Sequence, residues 1–112
     1  MPGICNGTWI NSLINNVDDG TIDVAEDGLG FLGGTHNNSH RGIIGVCIPG
    51  RTPHITFARF DGTSWFIYEG DIERRTIPRP RFVIVNGSVT TIFGKKTKKA
   101  PLADDWTAEK PT

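Results

Sequence analysis

Gly7-Thr8-Trp9-Ile10-Asn11-Ser12-Leu13 is the stretch whose reading decides the fold. Side chains alternate across an extended strand, so a period of two puts Trp9, Asn11 and Leu13 on one face and Thr8, Ile10 and Ser12 on the other. A Trp opening the inward face of a first strand suits the plugged end of a small barrel. The Asn two residues on brings a carbonyl and an NH2 into that interior, where they cost free energy unless bonded. A neighbouring backbone group satisfies them in an ordinary strand, and a bound ligand satisfies them in a binding protein.

Outward from this strand no helix of useful length is visible. Segments rich in β-branched and aromatic residues recur at short intervals, separated by Gly, Pro, Asn and Asp. Residues 15–20 read as a turn, Thr21 to Val24 leads into the Asp27-Gly28 hairpin signal, and 29–35 returns. Strands follow over 41–48, 54–60 and 63–72, divided by Pro49-Gly50 and Asp61-Gly62. Phe82 to Val85, the Asn86-Gly87 turn and residues 89–94 read as the last hairpin. The pattern predicts one all-β domain over 1–112, an antiparallel up-and-down meander of about seven to eight strands closing into a small barrel. A closed barrel of about eight strands has room for interior side chains or one small ligand.

Composition narrows the functions. The chain has 112 residues, enough for one core, and 37% hydrophobic content with 14 glycines and 7 prolines suits a turn-rich β chain. Twelve basic residues balance twelve acidic ones, so no field steers it to nucleic acid or a membrane surface. Lys95, Lys96, Lys98 and Lys99, soon answered by Asp104 and Asp105, read as a solvated hairpin end. No apolar run approaches the ~18 residues of a membrane helix, and no leader pattern is visible at the N-terminus. Cys5 and Cys47 either pair, as in an exported chain, or remain two buried thiols, as in a cytoplasmic one. Two strands look apolar on both faces: Ile55 and Phe57 oppose Ala58 and Phe60, and Phe82-Val83-Ile84-Val85 is unbroken. An apolar outer face predicts cover by a second copy, hence a homo-oligomer.

Several motifs together resemble the avidin family. The Gly-x-Trp-x-Asn-x-Leu pattern of residues 7–13 resembles the opening avidin strand, and Asp27 to His36 is similar to the second, which usually ends Gly-Thr-Tyr. Arg51-Thr52-Pro53 through Phe60, then Thr63-Ser64-Trp65, looks like the fourth and fifth strands. Val89 to Phe93 sits where the seventh strand carries a Trp, and Ala103-Asp104-Asp105-Trp106 resembles the element whose Trp is lent to a neighbouring subunit. Order and approximate spacing agree from residue 7 to 106. The family binds biotin inside an eight-stranded barrel that forms dimers or tetramers.

Carried over residue by residue, the resemblance implies a ligand site. Asn11 stands for a ureido-oxygen donor, Leu13 for an apolar wall, Asn15 for a serine donor and His36 for a tyrosine hydroxyl. Asn38 falls near a further polar contact, and Phe60 and Phe93 fall where two wall tryptophans stand. Thr63 or Ser64 matches a hydroxyl near the sulfur, Trp65 a packing aromatic and Trp106 the lid. Two departures open such a cavity. The chain ends at Thr112, six residues past Trp106, so the eighth strand is expected to be absent or much shortened. The connection that folds over the ligand is abridged to His36 through His40. A wetter cavity weakens its hydrogen bonds, so biotin affinity below the family's limit is expected.

The reading is a non-catalytic small-molecule-binding protein with biotin first and no cofactor, partnered only by its own copies. The alternative is a carbohydrate- or protein-binding module on the same barrel, with His36-Asn37-Asn38-Ser39-His40 reading hydroxyls beside Trp65 or Trp106. No catalytic or metal site is expected. The His36-x-x-x-His40 spacing lies in a loop without a third ligand, a solvated face accounts for Glu69 and Asp71, and no nucleophile elbow is present.

Overall fold

The computed structural model describes residues 3–37, 42–93 and 104–112, except the side chain of Phe93. Its strands are β1 (Gly7–Ile14), β2 (Val17–Glu26), β3 (Phe31–His36), β4 (Gly42–Ile48), β5 (His54–Phe60), β6 (Ser64–Arg75), β7 (Arg81–Phe93) and β8 (Asp104–Pro111). Each pairs antiparallel with the next, and β8 returns to β1, so the eight strands form a closed barrel without a free edge. The expected all-β meander is therefore the observed fold.

Turn chemistry sets its register. Asn15 (φ 50°) and Asn16 (φ 65°) form a two-residue connection, using the left-handed conformation that Asn tolerates. The turn is thus tighter than residues 15–20, and Asp18 to Gly20 belong to β2. Between β2 and β3, Asp27 Oδ1 accepts the backbone N–H groups of Leu29 and Phe31 at 2.7 and 3.0 Å. Asp61 does the same for Thr63 and Ser64 ahead of β6, both at 2.8 Å.

Two left-handed asparagines correct the reading inside strands. Asn11 (φ 51°) sits at a register shift between Trp9 and Ser12, so one residue is absorbed in a bulge and the alternation flips. Trp9 and Ser12 are buried, whereas Asn11 is exposed. Asn86 (φ 52°) likewise marks a bulge within continuous β7, where a hairpin turn was expected.

The eighth strand, expected to be absent or much shortened, is present as the eight residues of β8. Asp105, Thr107 and Glu109 alternate with Trp106, Ala108 and Lys110, and the second set is buried. That period of two lets the last residues close the barrel.

At one end of the barrel Cys5 is bonded to Cys47, which settles the pairing left open by the sequence. Trp9 Nε1 donates to the Cys5 carbonyl at 2.9 Å, so this indole does plug the end. Lys110 Nζ donates to the carbonyls of Ile4 and Asn6 while lying over the Trp9 and Phe82 rings. Burial holds the Lys110 ammonium below the ordinary lysine range, against an upward pull from Glu26. The outer surface of β3–β6 is apolar: Phe31, Ile44 and Trp65 are 59%, 69% and 43% exposed. Cross-strand pairs Ile44↔Ala58, Ala58↔Ile67 and Phe60↔Trp65 make that face continuous.

Candidate binding site at the loop end of the barrel

The end opposite the disulfide holds a polar layer over an aromatic floor. Phe57 on β5 and Tyr68 on β6 face each other in register, their rings stacked with centroids 4.6 Å apart. Trp106 from β8 meets Tyr68 edge-on at 5.2 Å and Phe57 at 5.6 Å. Such edge and offset contacts suit ring quadrupoles and add about 0.5–1.5 kcal/mol per pair beyond burial.

Asp19 of β2 organises the layer above. Its Oδ2 accepts from Ser12 Oγ at 3.1 Å and from Tyr68 OH at 2.9 Å. Ser12 Oγ in turn accepts from Trp106 Nε1 at 2.9 Å. The bulge at Asn11 is what turns this hydroxyl inward. Arg59 Nε and Nη2 donate to Tyr68 OH at 3.3 and 3.2 Å, and the guanidinium lies 4.4 Å above the Phe66 ring. His36 Nε2 lies 3.4 Å from Asp19 Oδ2 and donates to the Asp19 carbonyl at 2.6 Å, so Nε2 carries a proton. His36 is held there by the turn that follows it, where Asn37 N donates to the Thr21 carbonyl at 2.9 Å.

The electrostatics follow from this geometry. Burial raises the Asp19 carboxyl, but the hydrogen bond and charge of His36, with the Tyr68 and Ser12 bonds, outweigh it and hold the group below the usual aspartate range. Burial first, then the Asp19 charge, push the Tyr68 phenol far upward against the opposing pull of Arg59. Tyr68 therefore remains a neutral donor and acceptor. Among the described residues no buried side-chain polar atom lacks a partner. The layer is closed on itself, and an incoming ligand must exchange bonds with it.

The sequence-derived residues fall into four groups. His36 and Trp106 lie at this layer, Trp106 inside its own barrel and so not a lid lent to a neighbour. Asn11, Leu13 and Asn15 lie elsewhere: all three line an outer groove of about 640 Å³ over β7, β8 and β1. There Asn11 Nδ2 donates to Glu109 Oε1 at 2.7 Å and Asn15 Nδ2 to Asp104 Oδ1 at 2.9 Å. Phe60 and Trp65 face outward, their centroids 5.0 Å apart, so they wall no hollow with Trp9. Thr63 is exposed in its turn, its hydroxyl 3.0 Å from Asp61, while the adjacent Ser64 is buried. The Phe93 backbone pairs with Ser64, its side chain lying outside the described residues, as does all of Asn38.

Sequence reasoning missed Ser12, Asp19, Arg59 and Tyr68. The alternation Ile55, Phe57, Arg59 carried a signal: a guanidinium on the inward face of a core strand demands partners. Comparison with protein-family models, with curated proteins and with solved structures finds no match to this chain.

Proposed function

We propose that the protein is a non-catalytic barrel that binds a small molecule with a cyclic-urea or amide head, biotin first, at the polar layer around Asp19. The observation that supports this is the convergence of Ser12, Asp19, His36, Arg59 and Tyr68 at an aromatic cluster in which Phe57 and Tyr68 stack and Trp106 meets both edge-on. A urea offers two N–H donors and one carbonyl oxygen. The Asp19 carboxylate accepts the donors, and the Arg59 guanidinium with the Tyr68 and Ser12 hydroxyls supplies donors for the oxygen. The rings form the apolar floor for the rest of the bicycle.

Affinity is set by exchange, since each ligand hydrogen bond replaces an internal one of about 0.5–1.5 kcal/mol. Binding near the micromolar range, about 8 kcal/mol, is the expected scale, well short of a dry preformed cavity. The test is thermal. At about a hundredfold excess over Kd, biotin should stabilise by about 2.7 kcal/mol and raise the melting temperature by about 10 °C. An unchanged melting temperature at millimolar biotin refutes the reading.

The same reading includes self-association through the apolar outer face of β3–β6, where Phe31, Ile44 and Trp65 stand exposed. A second reading, a carbohydrate module, is favoured by one observation. The outer groove combines the Asn11, Asn15, Asn16 and Asn86 amides with Arg75, Arg81, Asp105 and Glu109, planar groups suited to sugar hydroxyls. Neutral oligosaccharides that shift the Thr107 and Glu109 amide resonances, with biotin inert, would select it.

A further inference from the structure

The disulfide end gathers a third donor that the sequence does not connect with the cysteines. Cys5 precedes β1, Glu26 ends β2 and Cys47 lies near the end of β4, so only the fold unites them. One ligand atom from each lies within 4.8 Å of the other two. One hydrogen bond holds the Glu26 carboxylate: Cys5 N–H donates to its Oε1 at 3.2 Å, while Oε2 lies in the space left beside Gly3. Asn6 Oδ1 accepts the Glu26 backbone N–H at 3.0 Å and holds the strand end.

We infer that Cys5, Cys47 and Glu26 form a zinc-type metal site when the two sulfurs are reduced, and a disulfide when they are oxidised. Two thiolates and a carboxylate are a borderline-soft donor set, with water free to take the fourth tetrahedral position. Zn–S bonds of about 2.3 Å place two thiolates about 3.8 Å apart. The Cys5 and Cys47 Cα atoms are 6.2 Å apart, so side-chain rotation brings the sulfurs to that spacing without moving strands. The loaded cluster carries one net negative charge, and the Lys110 ammonium, close enough to feel the Glu26 charge, offsets it. The redox step balances with a dithiol. Its two hydrogens convert the disulfide to two thiols as it closes to its own cyclic disulfide, and the metal then displaces both thiol protons into solvent. This inference is independent of the ligand reading above.

The test uses the full chain, oxidised or reduced with dithiothreitol and freed of reductant under argon, then titrated with zinc chloride or cobalt(II). Reduced protein should bind one equivalent, release two protons and, with cobalt, show a thiolate charge-transfer band, while oxidised protein binds none. Cys47→Ser should remove the band, and Glu26→Gln should weaken zinc binding about tenfold or more. No zinc uptake by the reduced chain, folded or unfolded by circular dichroism, overturns the inference. So does undiminished binding by Glu26→Gln, or equal binding in denaturant, where no fold gathers the ligands.

Discussion

Asp19→Asn isolates the charge at the centre of the polar layer while keeping its shape. Asp19 Oδ2 accepts from Ser12 at 3.1 Å and Tyr68 at 2.9 Å, and pairs with His36 at 3.4 Å. Hydrogen bonds to a charged acceptor contribute about 1.5–3 kcal/mol each and those to a neutral one about 0.5–1.5. Converting two bonds from the first class to the second costs about 2 kcal/mol. For a domain of this size that lowers the melting temperature by about 8 °C at pH 7.

The pH dependence carries a sign as well. The Asp19 carboxyl is depressed when folded, so its contribution is fully present above the unfolded value of 3.8 and is lost as pH falls through the folded value. The gap between wild type and Asp19→Asn should therefore hold from pH 7 to about pH 5 and close in more acidic solution. Differential scanning calorimetry of both proteins measures it, and the other depressed carboxyls, Asp61 and Asp71, cancel in the difference. A gap under about 2 °C at pH 7, or one undiminished at low pH, refutes this account of the layer.

Other parts of the structure give further expectations. Lys110→Met keeps the apolar stem over Trp9 and Phe82 but abandons the Ile4 and Asn6 carbonyls; urea melts should show a loss of about 2 kcal/mol, and wild-type stability would contradict the clamp. Replacing Cys5 and Cys47 together by Ser opens a cross-link spanning 42 residues, costing about 4 kcal/mol on the chain-entropy account; a loss below about 1 kcal/mol would sink that estimate. Ile44→Lys combined with Trp65→Lys places two charges on the apolar outer face. Light scattering should then report a monomer where wild type is oligomeric, and a wild type that is already monomeric rejects self-association.

The barrel was legible because its signals are local. Period-two segments and Asn, Asp and Gly turns specify strands and hairpins, and alternation set Ile55 and Phe57, which are buried, on the face opposite Ala58 and Phe60, although matching Phe60 to a wall tryptophan had placed it in the cavity. The site was less legible because one backbone conformation at Asn11 reverses the faces of β1. A left-handed Asn reads the same in sequence whether it makes a turn, as at Asn15, or a bulge, as at Asn11 and Asn86. The bulge moved the amide to the outside and brought Ser12 in. Asp19 was hidden in residues read as a turn, and its partners Tyr68 and His36 lie 49 and 17 residues away. The β8 alternation, by contrast, was present in Asp105 to Lys110 and was obscured by matching Trp106 to a lid.

The central claim is that a ligand exchanges hydrogen bonds with Asp19 and its neighbours inside the barrel. Isothermal titration of the wild type and of Asp19→Asn with biotin tests it most directly. The account predicts saturable one-site binding near the micromolar range, weakened about a hundredfold in the variant, which corresponds to about 2.7 kcal/mol. No heat of binding up to millimolar biotin, or equal affinity in the two proteins, would contradict it.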